Sequence, residues 1–254
     1  MNLALETFDR FYETTTPYRD WLAQSHGEWV LNYWTAQRTR YELLFETVRD
    51  LIKPGPEDRL LDVGVFPGFF TMTLCRMGLK VQAVDLSPER MEPYAGEAGL
   101  DVRHCNVDSE SFPFPDASFD AVLFTAVLEH LRVNPIQTAR EIRRVLKPGG
   151  RALVQTPNLG YWRCRLKVLL GRSFDESPTQ AYARLENLGH PGHIRVYEMA
   201  ELEELLEYAG FAVEARRWTH FGRRFPNSRG LLDRAFGVVP SMRRQLVVLA
   251  RRTP

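Results

Sequence analysis

The sequence predicts an α/β protein with a doubly wound, mostly parallel sheet, and two observations support this class. Short apolar runs alternate with helical stretches between Arg59 and Gln155, and such alternation is typical of βαβ units. Of the 254 residues, 44% are hydrophobic and 26% are charged, with 33 Lys and Arg against 32 Asp and Glu. These values exclude collagen-like, low-complexity and mostly disordered chains.

Residues 1–53 are predicted to form a helical cap ahead of the sheet. Aromatic and apolar side chains recur at helical spacing up to Leu51. Pro54-Gly55-Pro56 then ends the helical pattern. Aromatic residues at helical spacing are typical of a packed core, so we expect core positions for Tyr18, Tyr33 and Trp34 ahead of a place in a substrate pocket.

Five strands are predicted in the next hundred residues, with helices between them. The apolar runs assigned to strands are 60–63, 81–84, 102–105, 121–124 and 151–155, and the helical stretches are 68–77, 88–97 and 135–146. A tight turn at Lys147-Pro-Gly-Gly150 leads into the fifth strand. Parallel strands with helical crossovers follow from this order.

An insertion at 157–192 interrupts the alternation and is expected to be helical in part. The remaining pattern is a helix over 199–209 with Gly210 as its C-cap, a sixth strand from 211, a short helix at 230–236 and a seventh strand at 246–250. The predicted organisation is a helical cap at 1–53, the nucleotide-binding half of one α/β domain at 54–156, a substrate lid at 157–192 and the rest of the domain at 193–254.

A glycine-containing turn follows the first strand, in the order Asp62-Val-Gly64-Val-Phe66-Pro-Gly68-Phe69. An acid, Asp85, ends the next strand 21 residues after Gly64, which is the layout of a nucleotide-binding first crossover. A dinucleotide site has glycines where this chain has Phe66 and Phe69. The first of these lets the backbone approach the pyrophosphate, and the second lets the helix pack on the strand. The turn therefore disfavours a nicotinamide or flavin dinucleotide.

The turn resembles the first motif, D-x-G-x-G-x-G, of the class I S-adenosylmethionine-dependent methyltransferases. Asp62, Gly64 and Gly68 match this motif, whereas Phe66 replaces its middle glycine. The resemblance implies a Rossmann-like sheet of seven strands with the last strand antiparallel. It also implies S-adenosylmethionine as cofactor.

Further segments resemble the same family in the expected order over residues 58–156. Val81–Pro88 resembles the strand that carries the ribose-binding acid, and Cys105–Asp108 resembles the loop that holds adenine. Phe112–Ala126 resembles the segment that runs into strand four, and Leu146–Val154 resembles the turn into strand five. A basic residue in the cap of relatives meets the cofactor carboxylate. The cofactor contacts that the resemblance implies are Arg40, Asp62, Gly64, Gly68, Asp85, Leu86, Asn106, Val107, Asp108, Thr125 and Ala126.

The candidate catalytic residue is His193, which lies between the insertion and the next helix. A histidine there is suited to remove a proton from an oxygen or nitrogen nucleophile near neutral pH. A purely structural role, in which His193 caps the helix entry, is an equal alternative. For substrate contacts we favour Tyr161, Trp162 and His190, since a loop position makes burial of the two aromatic side chains in the main core less expected.

Glu129 and His130 are adjacent residues that could bind a metal ion, but we do not favour a metal site. Some relatives, among them ubiquinone-pathway and small-RNA 2′-O-methyltransferases, carry E-x-x-E-H at this place and bind a divalent ion. Here the first glutamate position is Ala126. We expect no metal, although His190 or His193 offers a replacement ligand.

The charge is unevenly distributed along the chain. Residues 211–254 hold ten arginines and two acids, a formal charge of +8, while the first 210 residues carry −7. The arginines arrive dispersed and in pairs, which favours a solvated basic face over a surface for an anionic partner. A nucleic-acid partner is therefore not favoured. A separate basic, amphipathic segment at 162–172 is compatible with binding to an anionic membrane surface.

The leading functional hypothesis is methyl transfer from S-adenosylmethionine to an oxygen, or to a nitrogen, of a small molecule or saccharide. The alternatives are an RNA or tRNA methyltransferase, motivated by the C-terminal charge, and a non-catalytic binding or scaffold protein, motivated by Phe66. The sequence starts without a signal-peptide pattern, has no apolar stretch of bilayer-spanning length, and its cysteines do not fit a disulfide framework. A cytoplasmic location is expected. Oligomeric state is not predicted.

Overall fold

The computed structural model describes residues 5–188, 192–220 and 228–254. A seven-stranded sheet in the order β3-β2-β1-β4-β5-β7-β6 forms its centre. β1 to β5 pair in parallel, and β7 is antiparallel to both of its neighbours. The predicted fold class, including the antiparallel last strand, is confirmed.

The strands follow the apolar runs closely. Their bounds are β1 (Arg59–Val63), β2 (Lys80–Asp85), β3 (Asp101–His104), β4 (Phe119–Thr125), β5 (Leu146–Pro157), β6 (Phe211–Thr219) and β7 (Gln245–Arg252). The Lys-Pro-Gly-Gly turn lies inside β5, where the register with β4 jumps from Phe119↔Leu146 to Ala121↔Arg151. β6 begins at the predicted residue and continues through charged residues to Thr219, because an edge strand tolerates charges where one side faces solvent.

Ten α-helices are described. They are α1 (Leu5–Glu13), α2 (Thr16–His26), α3 (Trp29–Thr47), α4 (Phe69–Arg76), α5 (Tyr94–Glu97), α6 (Pro135–Val145), α7 (Trp162–Leu169), α8 (Pro178–Leu188), α9 (Met199–Tyr208) and α10 (Ser228–Phe236). The predicted helix at 88–97 is instead a 3₁₀ turn at Pro88–Met91 followed by α5, because Pro93 has no N–H to continue the helical ladder. No helix among the described residues is long and apolar enough to span a bilayer.

The sheet separates two apolar layers. Alternate strand residues face α1 to α4 on one side, as Leu60, Leu123 and Leu153 do. The intervening residues, among them Leu61 and Val122, face α6 and α9 on the other side. Because side chains alternate along a strand, each strand contributes to both layers.

The cap helices are held by their aromatic residues. Tyr12 and Trp34 stack with ring centroids 5.0 Å apart, and the Tyr12 hydroxyl donates to the carbonyl oxygen of Trp34 at 3.0 Å. The Trp34 indole N–H donates to Thr15 Oγ1 at 2.9 Å. Tyr18 is buried against Phe69 of α4. Tyr18 and Trp34 are thus core residues, as expected, and the cap covers the edge of the sheet where β1 ends.

Candidate active site

The carboxyl ends of the parallel strands meet along one edge of the sheet. Register pairs Val63 with both Val84 and Phe124, and Thr125 with Gln155. The structure therefore brings the predicted residues Gly64, Asp85 and Thr125 to the same edge, next to the switch point between β1 and β4. Ligands of doubly wound sheets bind at this position.

The turn after β1 is shaped by two glycines with left-handed backbone. The Gly64 N–H still donates to the carbonyl oxygen of Val84 at 2.8 Å, and Gly64 has φ +75°. The Gly68 N–H donates to the carbonyl oxygen of Val65, and Gly68 in turn accepts the N–H of Met72 at the start of α4. A Cβ on Gly64 would lie 2.5 Å from Val127 Cγ2, so the turn requires a glycine there.

Asp85 is fixed by two backbone donors from different loops. Its Oδ2 accepts the N–H of Phe66 at 2.9 Å and its Oδ1 accepts the N–H of Ser87 at 3.0 Å. The residue is 8% exposed. Each carboxylate oxygen keeps a further lone pair, which suits acceptance of hydroxyl donors. The adjacent Leu86 side chain is 58% exposed and offers an apolar face beside this carboxylate.

Phe66, which departs from the family motif, has its ring against the cap. The guanidinium carbon of Arg90 lies 4.1 Å from the ring centroid, and the His26 ring lies at 6.0 Å. The backbone of Phe66 keeps the turn that orients Asp85. The replacement of glycine by phenylalanine therefore adds a contact to α2 while the turn retains both left-handed glycines.

Asp62 is placed inside the protein behind the turn. Its Oδ2 accepts the Thr71 hydroxyl at 2.5 Å, which joins β1 to α4. Burial raises the pKa of Asp62 to about 6, against the opposing effects of the Thr71 hydrogen bond and the Arg40 charge. Its side chain positions the turn, and the part of the family motif that faces the site is the glycine backbone.

Arg40 of α3 connects the cap to the site edge. Its Nη2 donates to Gln155 Oε1 at 3.2 Å, and Gln155 Nε2 donates to Gln245 Oε1 at 2.5 Å. The Arg40 charge also acts against the burial that raises the pKa of Asp62 and Glu129. The guanidinium therefore lies among the ends of β1, β4 and β5, where the resemblance implies a contact with the cofactor carboxylate.

The predicted adenine loop is organised by Asp108. Its Oδ2 and Oδ1 accept the N–H groups of Arg132 and Val133 at 2.8 and 2.9 Å. Asn106 Oδ1 accepts the N–H of Asp108 at 3.2 Å, and the Val107 carbonyl accepts the Thr138 hydroxyl. Asp108 thus ties the loop after β3 to the segment after β4.

Three side chains with metal-binding or acid-base chemistry meet after β4. Ala126, with φ +58°, turns the chain, and Glu129 and His130 follow. One ligand atom from each of Glu129, His130 and His193 lies within 4.8 Å of the others. His130 Nδ1 is 2.7 Å from the Gly192 carbonyl oxygen, and the N–H of Ile194 donates to the Glu129 carbonyl oxygen, so the His193 segment is held against the end of β4.

Glu129 is buried, with 1% exposure, and its Oε2 accepts the Thr156 hydroxyl at 3.0 Å. Burial raises the pKa of Glu129. This arrangement offers a carboxylate and two imidazoles, which suits either a proton relay or a divalent cation. The expectation that no metal binds stays a prediction.

The side-chain hydrogen bonds of Tyr161 and Trp162 are with α10, and none of them involves Glu129, His130 or His193. The Tyr161 hydroxyl and the Trp162 indole N–H both donate to Asp233 Oδ1, each at 2.7 Å, and Trp162 stacks on Phe236 at 4.8 Å. Trp162 is 7% exposed because it begins α7 and packs on α10, apart from the two apolar layers of the sheet, so its role as a substrate contact stays a prediction. His190 lies outside the described residues.

Sequence reasoning missed Asp233, Gln155, Gln245 and Thr71. Asp233 and Tyr161 are 72 residues apart, so their pairing leaves no local pattern. One signal was present: Asp233 is one of only two acids among the last 44 residues. An isolated acid in a basic segment indicates a specific partner.

Comparisons with known proteins agree with this geometry. Residues 61–154 match the model of a family described as a methyltransferase domain. The chain is 41% identical over 115 residues to a Mycolicibacterium smegmatis protein named "Probable S-adenosylmethionine-dependent methyltransferase", covering 45% of this chain and 36% of that protein. It is 32% identical over 122 residues to the ubiquinone biosynthesis O-methyltransferase of Cereibacter sphaeroides, covering 46% of this chain and 49% of that enzyme.

A solved structure covers nearly the whole chain. The Burkholderia thailandensis 1,6-didemethyltoxoflavin-N1-methyltransferase, with 1,6-didemethyltoxoflavin and S-adenosylhomocysteine bound, matches with a TM-score of 0.55 at 20% identity, covering 95% of this chain and 90% of that one. At this identity the match shows the fold alone. The chain spans less than half the length of the two curated relatives, so only the shared domain is common to them.

Proposed function

We propose that this chain, whose residues 61–154 form a class I S-adenosylmethionine-dependent methyltransferase domain, transfers a methyl group to an oxygen or nitrogen of a small molecule or saccharide. The observation that supports the proposal is the orientation of the Asp85 carboxylate. This carboxylate is oriented by backbone N–H groups from the loops after β1 and β2, at the switch point of the sheet.

The residues present fit the cofactor. Asp85 would accept the ribose hydroxyls, and Leu86 would cover an adenine face. Asn106, Val107 and Asp108 would bound the adenine edge, with the Gly64–Gly68 backbone beneath the methionine part and Thr125 and Ala126 at the end of β4. Arg40 would meet the cofactor carboxylate. When bound, the sulfonium supplies an electrophilic methyl group, and the protein's main task is to align the acceptor with it.

His193 is proposed as the base that removes the acceptor proton. It is exposed, and its imidazole lies 5.2 Å, between ring centroids, from that of His130. His130 and the buried Glu129 would keep it at the end of β4. Tyr161, Trp162 and His190 are the proposed substrate contacts.

The acceptor is proposed to be a small molecule, and the C-terminal charge supports this choice over RNA. Arg216 pairs with Glu203 and Arg251 with Glu214. Arg243 Nη1 donates to the Trp218 carbonyl oxygen. Glu214 is already counted in the formal +8, whereas Glu203 lies outside residues 211–254, so its pair with Arg216 lowers the charge available to a polyanion by one.

The test compares two aspartates at opposite edges of the sheet. Asp85→Asn removes the charge that holds the ribose, and each charge-assisted hydrogen bond contributes about 1.5–3 kcal/mol, so the S-adenosylhomocysteine Kd rises at least ~10-fold. Asp120→Asn is the matched control, because Asp120 also accepts a backbone N–H, from Arg59, but at the amino end of β4. Isothermal titration calorimetry measures both.

Transfer itself is measured with methyl-labelled cofactor and a panel of phenols, amines and saccharides. Label in a small acceptor, lost in Asp85→Asn, supports the proposal. Failure of the wild-type chain to bind S-adenosylmethionine and S-adenosylhomocysteine would favour the scaffold alternative. Label incorporated only into RNA, with binding that weakens steeply as salt rises, would favour the nucleic-acid alternative.

A further inference from the structure

Exposed apolar side chains are concentrated in two short parts of the chain. Sixteen large apolar residues are exposed among those described, and eleven of them fall in 166–185 and 231–239. The most exposed of these eleven are Leu169 at 82%, Val238 at 77% and Leu231 at 69%. Contiguous exposed apolar surface in a soluble fold indicates a partner surface.

Described contacts join α7 and α10. Tyr161 and Trp162 both bond to Asp233 of α10, and Trp162 stacks on Phe236 with an interplanar angle of 19°. The exposed leucines of α7 lie one and two turns beyond Trp162, and those of α10, Leu231 and Leu232, directly precede Asp233. We call residues 162–170 together with 231–239 the lid surface.

The apolar stripe on α7 has cations on both sides. Trp162, Leu166 and Leu169 share a face at helical spacing. Arg163 and Lys167, four residues apart, flank it on one side, and Arg165 flanks it on the other. No acid occurs between Leu159 and Phe174. Within the described ranges, Arg163, Arg165, Lys167 and Arg172 form no ion pair with an acid, so their charges are not neutralised.

We propose that the lid surface docks the protein onto an anionic lipid bilayer. A helix with an apolar stripe flanked by Lys and Arg lies in the membrane interface, where the apolar face enters the acyl boundary and the cations meet lipid phosphates. The unpaired cations are the charge complement of acidic headgroups. β5 leads into this surface at the carboxyl edge of the sheet, so docking would bring the candidate active site close to the bilayer.

This inference is independent of the identity of the methyl acceptor. The probe is co-sedimentation of the full chain with vesicles of phosphatidylglycerol and phosphatidylcholine, with pure phosphatidylcholine vesicles in parallel. The wild-type chain is expected to sediment with the acidic vesicles and to be released by salt. No sedimentation with acidic vesicles overturns the proposal.

The contribution of the exposed leucines to vesicle binding is tested by the double variant Leu169→Glu with Leu170→Glu. Both side chains are exposed, so the fold is expected to be retained, and circular dichroism checks it. Tyr208→Glu is the control for an acid placed at an exposed position away from the lid surface, since Tyr208 is 68% exposed on α9, next to Gly210 at the opposite edge of the sheet. The proposal expects vesicle binding to be lost in the double variant and kept in the control. Equal binding by both overturns it.

The charge contribution is tested by Lys167→Glu with Arg172→Glu. Loss of two interfacial cations alone weakens partition into acidic vesicles by about 30-fold, and the two added carboxylates weaken it further. The control is Lys53→Glu with Lys80→Glu, which changes net charge equally at the amino edge of the sheet. A second copy of the chain is the competing occupant. A wild-type dimer that Leu169→Glu and Leu170→Glu dissociate in sedimentation velocity, without vesicle binding, would overturn the proposal.

Discussion

Asp62 shows how one buried carboxyl serves the site without facing it. It lies at the end of β1 and holds α4 through the Thr71 hydroxyl. Burial raises its pKa to about 6 from the ordinary value of 3.8. The native state therefore binds this proton more tightly than the unfolded state does, which couples folding to pH.

The coupling predicts a stability change with a definite sign. Between pH 3.8 and about 6 the native state carries more of this proton than the unfolded chain, so the free energy of unfolding falls by about 3 kcal/mol from this group as the pH rises. Asp62→Asn removes this contribution. Denaturant unfolding of both proteins across this interval should show the wild type losing stability relative to Asp62→Asn.

Asp120→Asn is the control of opposite sign. Burial opposes its charge, but the Arg59 N–H and the Lys147 ammonium together lower the pKa of Asp120. Its contribution is present above the unfolded pKa and is lost as the pH falls through the folded pKa. If the wild type and Asp62→Asn keep a constant difference across the interval, the proposed coupling is wrong.

His193 carries the kinetic prediction. As a base it contributes about 10²–10⁴ in rate, so His193→Ala should lower kcat by that factor and leave cofactor Kd unchanged. His104→Ala, at the exposed end of edge strand β3, is the control. A chelator is expected to leave the wild-type rate unchanged. Loss of rate on chelation, restored by a divalent ion, would instead make Glu129, His130 and His193 metal ligands.

At the scale of elements, the turn between β1 and α4 sets the geometry of the site. Its two left-handed glycines fold the backbone so that the Phe66 N–H reaches Asp85 at the end of the neighbouring strand. The same turn passes close to Val127, which begins the segment after β4. Three strand ends are thus coupled through one short loop.

Gly64→Ala is predicted to destabilise the protein more than Gly78→Ala. Both glycines have positive φ, which costs an alanine about 1–2 kcal/mol, but only Gly64 would bring a Cβ to 2.5 Å from Val127, whereas Gly78 has open space. Denaturant midpoints measure both. Val127→Ala should recover part of the Gly64→Ala loss, and equal losses at the two glycines would refute the clash.

At the scale of the molecule, the sequence predicted what depends on local pattern. Apolar runs gave the five parallel strands, and the spacing from Gly64 to Asp85 placed both at one edge. The 3₁₀ turn before Pro93 and the burial of Trp162 were not predicted. Trp162 is covered by α10, whose Asp233 and Phe236 lie more than 70 residues away, and no local periodicity reports such a contact.

The near-zero net charge of the whole chain hides segments of opposite charge that cancel. In the C-terminal segment, Arg216 pairs with Glu203 and Arg251 pairs with Glu214. The cations of α7, which belong to the net acidic part of the chain, have no acidic partner among the described residues. The formal net charge does not distinguish paired cations from unpaired ones, because the fold determines which charges meet.

The strand order has a consequence for how the protein is made. β7 is inserted between β5 and β6, and among the described strands β6 pairs with β7 alone. During synthesis β6 emerges before the strand that anchors it. The nascent chain can therefore assemble β1 to β5 on the ribosome, while β6 must wait as an unpaired segment until β7 leaves the exit tunnel and completes the sheet.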